Sequence, residues 1–402
     1  MVTAPIEPDH VATLHGGTAT SATAHKSRRV MIVAGETSGD LHGADFAAQL
    51  LARDPACELF GIAGERMRAA GVRALFKTED IAGLGLTELT STIRRTAGAF
   101  RALRRILRRD PPDLVVLIDY AEFNLMLAGS ARRAGVPVLY YILPQVWAWR
   151  RGRIGKLVKR AQRMAVVFPF EAELYSQAGG HVSFVGHPLL DRVAPAQDRL
   201  ATLARHGFES DARILALLPG SRHAEVGYLL RPLLEAGTAL AAKHGLSLAI
   251  ALAPTLEAAY LGEVAGAAAL EGVHIIQDDT YSIVAASELA LVASGTATLE
   301  TALLGCPMVI AYKVSPITYK LARILVRGVD YIGMPNILAG RAIVPELIQG
   351  DVTAARLVRA AEPMLAEPLH SATAAALRAV RARLGAPGAA ARVAAMALEM
   401  MA

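Results

Sequence analysis

The run VMIVA at residues 30–34 is closed by Gly35, and an apolar helical pattern begins near Leu41. This order of strand, loop and helix is the first half of a β-α-β unit. Three further apolar runs follow, with helical patterns between them, at 114–118, 136–142 and 164–168. Strands that alternate with helices indicate a parallel sheet, and continuously apolar runs are typical of strands covered on both faces. The sequence therefore predicts an α/β fold with a doubly wound parallel sheet.

A second set of units begins after a break near residue 188, where Pro188 and Pro195 lie among polar residues. Its apolar runs lie at 214–218, 247–252, 274–276, 289–293 and 308–312. We therefore predict two Rossmann-like domains at 28–188 and 189–350, preceded by a disordered extension at 1–27 and followed by helices at 351–402. Two such domains that face each other place their strand ends around one cleft, where ligands bind.

Composition limits the class of protein. Of 402 residues, 53% are hydrophobic and 19% are charged, which excludes a chain that is disordered throughout. The two cysteines, Cys57 and Cys306, are too few for a disulfide framework, a zinc ribbon or an iron–sulfur site, so we expect a reducing compartment. We find no stretch of ~20 residues that reads as a membrane span. Residues 1–27 lack the apolar core of a secretory signal.

The formal net charge of +6 is concentrated in two segments. Residues 93–109 and 150–163 each contain seven arginines and lysines and no acidic residue. On a helical wheel, the arginines of 93–109 take one side and apolar residues the other. Two interpretations stay open, namely an outer helix packed on its sheet or a surface that meets anionic lipid. The second interpretation assigns membrane contact to Leu84, Leu86, Leu89, Ile93, Arg94 and Arg95.

One turn of the second domain has the composition of a phosphate site. Gly220, Ser221 and Arg222 follow the run at 214–218. Glycine lets the backbone come close to a ligand, and serine can cap the next helix, whose free N–H groups favour an anion. Arginine adds a forked permanent charge that suits phosphate oxygens. The alternative is an ordinary turn with a surface arginine.

A second turn of this kind is formed by Ser294, Gly295 and Thr296, which follow the run at 289–293. Glu300 lies about one helical turn further on, where its carboxylate could accept hydrogen bonds from the two hydroxyls of a ribose. The alternative is a capped helix with Glu300 near its positive end. Two anion-friendly turns in one domain suggest a nucleotide diphosphate as ligand.

The corresponding loops of the first domain are GETSGD at 35–40 and IDYAEFN at 118–124. The first could hold an anionic or hydroxylated substrate at a helix start, or it could be a tight turn. In the second, Asp119 ends a strand and could act as a general base with a pKa raised by partial burial, or it could cap a helix. Asp40, His42 and Asp45 do not make a convincing metal site, because one histidine beside two acids is a weak ligand set.

Taken in order, these motifs resemble a known family. GETSGD at 35–40, PQVWAW at 144–149, FPFE at 168–171, VGHPLLD at 185–191, LPGSR at 218–222, SGTATLE at 294–300, GCPMVIAY at 305–312 and PNILAGR at 335–341 closely resemble the lipid-A-disaccharide synthases over about residues 28–385. The resemblance implies a GT-B type glycosyltransferase. It further implies transfer from UDP-2,3-diacylglucosamine to 2,3-diacylglucosamine 1-phosphate with inversion, and no metal or other cofactor. It also implies a homodimer that exchanges C-terminal elements and acts from the cytoplasm, peripherally on the anionic inner membrane.

The resemblance also implies roles for particular residues. Asp119 matches the family's presumed base, although Tyr120, Ala121 and Glu122 depart from the family pattern. Arg222 matches the arginine of the family's LPGSR motif, and we expect it to act on the departing diphosphate. The residues implied for UDP binding are Gly220, Ser221, Arg222, Ser294, Gly295, Thr296, Glu300, Asn336 and Arg341. Those implied for the acceptor are Glu36, Ser38, Asp40 and Asn124.

Three other functions remain as alternatives at this stage. One is a GT-B enzyme that acts on a soluble sugar nucleotide, such as an epimerase. Another is a basic module that binds RNA or anionic membrane. Aromatic residues are only 5% of the chain, which is poor for stacking on bases, so we expect no nucleic-acid partner. The third is a catalytically inactive relative that only binds lipid.

Overall fold

The computed structural model describes residues 27–81, 89–149, 151–325 and 330–402, and it contains two parallel sheets. Nearly all of the predicted disordered extension lies outside these residues, as do Leu84 and Leu86 of the predicted membrane contact. Within the described residues, no helix has the length and apolar character needed to cross a membrane.

The first sheet has seven strands in the order β3-β2-β1-β4-β5-β6-β7, and every neighbouring pair is parallel. Its strands are β1 (Arg29–Ala34), β2 (Glu58–Ala63), β3 (Arg73–Lys77), β4 (Leu114–Ile118), β5 (Val138–Tyr141), β6 (Arg163–Val166) and β7 (Val182–Phe184). The helices of this half are α1 (Thr37–Leu51), α2 (Glu65–Ala69), α3 (Thr78–Ile81), α4 (Leu89–Arg109), α5 (Ala121–Arg133), α6 (Val146–Trp149), α7 (Ile154–Arg160) and α8 (Pro169–Gln177).

The second sheet has six parallel strands in the order β10-β9-β8-β11-β12-β13. Its strands are β8 (Arg213–Leu218), β9 (Leu246–Leu252), β10 (Val273–Gln277), β11 (Leu289–Ala293), β12 (Met308–Tyr312) and β13 (Glu346–Ile348). The remaining helices are α9 (Arg199–Arg205), α10 (His223–His244), α11 (Ala258–Ala265), α12 (Thr280–Ala286), α13 (Thr296–Leu303), α14 (Pro316–Leu325), α15 (Met334–Ala339), α16 (Ala354–Ala361), α17 (Leu369–Arg383) and α18 (Ala389–Met400).

The predicted doubly wound architecture is confirmed in both halves. All nine apolar runs are strands, and β1, β4, β8 and β11 are completely buried apart from residues at their starts. Strands β2, β3, β7 and β13 were not predicted from the sequence. The last three lie at sheet edges and are short or partly exposed, so they lack the continuous apolar run that identified the others.

The order of the strands reverses direction beside β1 and β4 in the first sheet and beside β8 and β11 in the second. Such reversal points open a crevice beyond the carboxyl ends of the two strands, and ligands of open α/β sheets bind there. The four loops singled out in the sequence follow these four strands. The topology therefore brings the candidate site residues to two crevices.

The C-terminal residues form helices that pack on both halves of the molecule. Helix α16 lies against α10, and α17 lies against α13 and α15. Helix α18 returns to the first half and packs on α1, where Val393 and Ala397 join the same apolar cluster as Phe46. The chain passes between the two halves near His187 and again near Leu384. These two passages are adjacent, since the backbone N–H of His187 donates to the Leu384 carbonyl over 3.0 Å.

Candidate active site

Two cavities meet at one turn between the two sheets. The cavity of about 650 Å³ beyond β8 and β11, called here the β8–β11 cavity, is bordered by Arg222, Tyr281 and Glu300. The cavity of about 710 Å³ between the two domains, called here the interdomain cavity, is bordered by Asp119 on one side and Tyr312 on the other. The turn Ser294–Thr296 borders both cavities. A ligand that spans them would pass this turn.

In the β8–β11 cavity, the turn after β8 already holds a carboxylate of the protein. Glu225, in the first turn of α10, accepts hydrogen bonds from the backbone N–H groups of Ser221 (3.0 Å) and Arg222 (3.3 Å). Its other oxygen accepts from the Arg222 guanidinium over 3.0 Å. The donors expected to be free for a phosphate are therefore occupied in this structure. A glutamate three residues after the start of a helix is a known capping pattern and could have revealed this from the sequence.

The turn after β11 retains donors of its own. The N–H of Ser294 donates to the Ala311 carbonyl, but α13 begins at Thr296, and the first N–H groups of a helix have no partner within it. Gly295, with φ 155°, is the last residue before this helix. Glu300 accepts a hydrogen bond from the Tyr281 hydroxyl over 2.8 Å, and burial raises the pKa of its carboxyl. Nothing in the sequence pointed to Tyr281 as a partner of Glu300.

Asp119 lies at the end of β4 in a strained stretch of backbone. Asp119 and Tyr120 have φ values of 51° and 54°, in the left-handed region that residues other than glycine rarely adopt. Consecutive residues of this kind persist only where neighbours enforce them, and they often mark functional sites. Here Asn124 donates from its side-chain amide to the carbonyls of Ile118 and Asp119, and the Tyr140 hydroxyl donates to the Asp119 carbonyl over 3.4 Å.

The Asp119 carboxyl borders the interdomain cavity and has two hydrogen bonds. Ser38 Oγ donates to Oδ2 over 3.3 Å, and the Tyr120 N–H donates to Oδ1 over 3.0 Å. Burial raises the pKa of this carboxyl, and these hydrogen bonds oppose the rise only in part. Glu36 lies on the same side of the cleft as Asp119 and is close enough to Asp119, and to Arg222 on the other side, for both to act on its pKa, which burial also raises. The first domain thus faces Arg222 of the second.

Two residues expected to contact the acceptor have structural roles instead. Asn124 is completely buried, and its amide supports the Asp119 backbone rather than reaching the cavity. Asp40 is 6% exposed and accepts hydrogen bonds from the N–H groups of Arg66 (3.0 Å) and Met67 (3.1 Å) at the start of α2. Ser38 does border the interdomain cavity. Glu36 is exposed beside it.

The run at 335–341 also differs from expectation. Asn336 is completely buried, and its amide donates to the Val344 carbonyl and Glu346 while its oxygen accepts from the N–H groups of Ile343 and Val344. All four hydrogen-bonding positions of this amide are filled, so it cannot also bind a nucleotide. Arg341 is exposed and borders neither cavity. Ile337 of the same run does line the interdomain cavity.

Aromatic and histidine side chains form much of the interdomain cavity, although the sequence analysis gave them no role. The residues concerned are His42, Trp147, Phe168, His187, Tyr312, Tyr319 and Tyr331. Trp147 packs edge-on against Phe170, and Phe168 stacks on Phe170 with ring centroids 5.6 Å apart. Behind this wall the buried Glu171 accepts hydrogen bonds from Trp147 Nε1 and the Phe168 N–H, each over 3.3 Å. The motifs PQVWAW and FPFE meet here.

Glu171 should make stability depend on pH. Burial raises its pKa from 4.5 to about 7. Between these values the folded chain holds a proton that the unfolded chain has lost, so stability falls as pH rises. We expect the free energy of unfolding to drop by roughly 2 kcal/mol more in the wild type than in E171Q between about pH 5.5 and 8, because one pKa unit is worth about 1.4 kcal/mol. Urea denaturation of both proteins at each pH measures this, and parallel pH profiles would contradict it.

Helix α4 is buried on one side towards its end and exposed towards its start. Leu103 and Leu107 are buried against the sheet, as in an ordinary outer helix. Towards its start, Ile93 is 59% exposed and Arg94 and Arg95 are exposed. Leu89 begins the helix, and its side chain lies outside the described residues.

Metal ligands do not cluster in the part of the chain that the structure describes: no group of three or more histidine, cysteine, aspartate or glutamate side chains could hold an ion there. Asp45, one of the three residues considered for a metal, pairs with Arg192. Cys57 and Cys306 are both buried free thiols.

The comparisons with known structures identify the fold. CalG4, the calicheamicin glycosyltransferase, superimposes with a TM-score of 0.61 at 16% identity and covers 93% of this chain and 98% of that chain. MurG of Acinetobacter baumannii superimposes with a TM-score of 0.57 at 15% identity and covers 92% of this chain and 99% of that chain. The two parallel-sheet domains therefore form a GT-B type fold, as predicted.

The sequence comparisons go further than the fold. Residues 30–395 match the family described as "Lipid-A-disaccharide synthetase". The lipid-A-disaccharide synthase of Geobacter metallireducens is 45% identical over 377 residues, which are 93% of this chain and 98% of the relative. That of Syntrophus aciditrophicus is also 45% identical over 377 residues, with the same coverage of 93% and 98%. With a match across nearly its whole length, this chain belongs to the lipid-A-disaccharide synthase family, the glycosyltransferases of lipid A biosynthesis.

Proposed function

We propose that this enzyme transfers 2,3-diacylglucosamine from UDP to 2,3-diacylglucosamine 1-phosphate and inverts the anomeric centre, without a metal ion. The products are the β-1′,6-linked disaccharide 1-phosphate and UDP. One observation carries the proposal: the β8–β11 cavity and the interdomain cavity meet at the Ser294–Thr296 turn. A sugar nucleotide in the first cavity can then present its anomeric carbon to an acceptor in the second.

The chemistry assigned to each residue follows from its place. The 6-hydroxyl of the acceptor attacks the anomeric carbon from the side opposite UDP, and Asp119 takes the hydroxyl proton. The bond from that carbon to the diphosphate oxygen breaks, and its electron pair leaves with UDP. The transition state resembles an oxocarbenium ion. Two kinds of donor offset the charge that grows on the diphosphate, namely the Arg222 guanidinium, once it turns from Glu225, and the N–H groups that open α13.

The nucleoside part of the donor is assigned to Glu300. Its carboxylate borders the β8–β11 cavity and is held by Tyr281, so it can accept hydrogen bonds from the ribose hydroxyls. Asn336 and Arg341 have no part in this assignment, because the first is filled with internal hydrogen bonds and the second borders neither cavity.

Analysis of the product tests the proposal. Purified enzyme is incubated with UDP-2,3-diacylglucosamine and 2,3-diacylglucosamine 1-phosphate in the presence of a metal chelator. We expect mass spectrometry to find the disaccharide 1-phosphate and UDP in equal amounts, and NMR to show the β linkage. Release of UDP without a disaccharide, or a strict need for magnesium, would refute the proposal. Replacing the donor with soluble UDP-N-acetylglucosamine tests the alternative of a soluble-sugar enzyme.

On the resemblance to the family, we further propose that the enzyme acts as a homodimer on the anionic inner-membrane surface. The start of α4 would make the contact, because Ile93, Arg94 and Arg95 are exposed together. Each basic residue near an anionic surface contributes about 1 kcal/mol.

Removing two of these charges should therefore weaken membrane binding. For R94A/R95A we expect partitioning onto vesicles with phosphatidylglycerol to fall on the order of 30-fold at low salt, because two charges contribute about 2 kcal/mol. Flotation of the vesicles on a density gradient measures this, and added salt should reduce the difference. The control R359A/R378A removes two exposed arginines from α16 and α17. Equal loss in both double variants would contradict a specific role for α4.

A further inference from the structure

The interdomain cavity has the chemistry of a site for an uncharged sugar ring. Among its described lining residues there is no lysine or arginine, and aromatic rings come from both domains, including Trp147, Phe168 and Tyr312. Without a cation this cavity suits the sugar ring of the acceptor and not its 1-phosphate. A pyranose ring, by contrast, combines apolar faces that pack on aromatic rings with hydroxyls that need neutral hydrogen-bonding partners. Two histidines border the same cavity.

His187 has a defined tautomer. It is 8% exposed and lies just before the single turn Pro188–Asp191, where its Nδ1 accepts a hydrogen bond from the Leu189 N–H over 3.2 Å. Burial lowers the pKa of the ring to about 3, so the imidazole is neutral near pH 7. A neutral imidazole carries one proton, and Nδ1 acts here as an acceptor, so the proton is on Nε2. Within the described residues Nε2 has no hydrogen-bond partner.

His42, in α1, stands beside this ring, close enough to lower the pKa of His187 further. Burial lowers the pKa of His42 itself to about 4, so it is neutral as well. Its Nδ1 is buried and has no hydrogen-bond partner among the described residues. Buried polar atoms without a partner are uncommon in folded proteins, and each calls for an explanation such as a ligand or a water molecule.

We propose that His187 and His42 bind hydroxyl groups of the acceptor sugar, with His187 Nε2–H as the donor. This inference rests on the proposed function, in which the acceptor occupies the interdomain cavity. The acceptor must present its reacting hydroxyl to Asp119, which borders this cavity and not the β8–β11 cavity. Both histidines border this cavity and neither borders the β8–β11 cavity, so the acceptor ring, and not the nucleotide of the donor, is assigned to them.

Two substitutions of His187 separate binding from structure. In H187N the side-chain oxygen can replace Nδ1 as acceptor for the Leu189 N–H, but the Nε2–H donor is lost. In H187Q the side-chain amide can replace Nε2–H, but the acceptor for Leu189 is lost. A neutral hydrogen bond contributes about 1 kcal/mol, so we expect H187N to raise KM for 2,3-diacylglucosamine 1-phosphate roughly five- to tenfold, with kcat and KM for the donor unchanged. H187Q should keep the wild-type acceptor KM and lose thermal stability.

Binding without turnover separates this inference from the proposed function. Trp147 borders the cavity, so quenching of tryptophan fluorescence by 2,3-diacylglucosamine 1-phosphate gives a Kd in the absence of donor. We expect the Kd to rise in H187N and not in H187Q. If the wild type binds the acceptor but forms no disaccharide, the proposed function fails and this comparison still tests the histidine. An unchanged Kd in folded H187N, or a rise in the donor KM alone, would overturn the inference.

Discussion

D119N should lower kcat about 10²- to 10⁴-fold, the usual contribution of a general base. The amide of asparagine keeps the size of the carboxylate and can still accept from the Tyr120 N–H, so the strained backbone at Asp119 should survive. It cannot take a proton from the acceptor hydroxyl. Initial rates of UDP release at saturating substrates measure the effect. UDP affinity, measured by calorimetry, should remain at the wild-type value because Asp119 does not border the β8–β11 cavity.

The pH dependence of the wild type should identify the same group. A base acts in its ionised form, so kcat/KM must fall as pH drops through the pKa of the free enzyme. Burial raises the pKa of Asp119 above its ordinary value of 3.8. The acid limb, which is the fall of kcat/KM at low pH, should therefore begin at a correspondingly higher pH. Glu36 also has a raised pKa and lies near Asp119, so it needs a control. The limb should persist in E36Q and disappear from the residual activity of D119N.

Two results would remove Asp119 from this role. One is near-normal turnover in folded D119N. The other is an acid limb that is lost in E36Q and retained in D119N, which would make Glu36 the base. Circular dichroism and the melting temperature of each variant confirm that the fold is intact in either case.

The positions of the candidate active-site loops were predictable from the sequence because strand ends are visible as boundaries of apolar runs. Asp119 and Arg222 each lie within a few residues of such a boundary, at β4 and β8. In a parallel sheet the carboxyl ends of strands share one edge, so residues there converge whatever the details of packing. That rule needs no knowledge of side-chain direction, and it held for the turn at Ser294–Thr296 as well.

Side-chain direction was not predictable in the same way. Asn124 and Asn336 each lie within a motif that was assigned to the site. Both side chains nevertheless point inwards, where their amides support backbone segments of their own domains. Asp40 likewise binds the start of α2, which lies 26 residues further along the chain. The lining of the interdomain cavity could not be predicted from the sequence of either domain alone. Trp147 and Tyr312 line the same cavity only when both domains are in place.

R222A should weaken binding of UDP on the order of 100-fold, because charge-assisted hydrogen bonds to an anion contribute about 1.5–3 kcal/mol. The side chain is 73% exposed beside the β8–β11 cavity, and its ion-pair partner among the described residues is Glu225, in the first turn of α10. It can therefore turn to a diphosphate without disturbing the core. R222K should recover part of the affinity, since lysine restores the charge but not the fork. Calorimetry with UDP and with uridine separates the phosphate from the nucleoside.

The carboxylate of Glu225 competes with a diphosphate for the donors of the turn after β8. It occupies the N–H groups of Ser221 and Arg222, so a diphosphate that used those groups would have to displace it, whereas one that used only the guanidinium and the α13 turn would not. E225Q weakens the competing anion. If the N–H groups take part, E225Q should bind UDP more tightly than the wild type, and R222A/E225Q should recover part of the loss. If R222A and the control R359A bind UDP equally well, Arg222 has no role in holding the diphosphate.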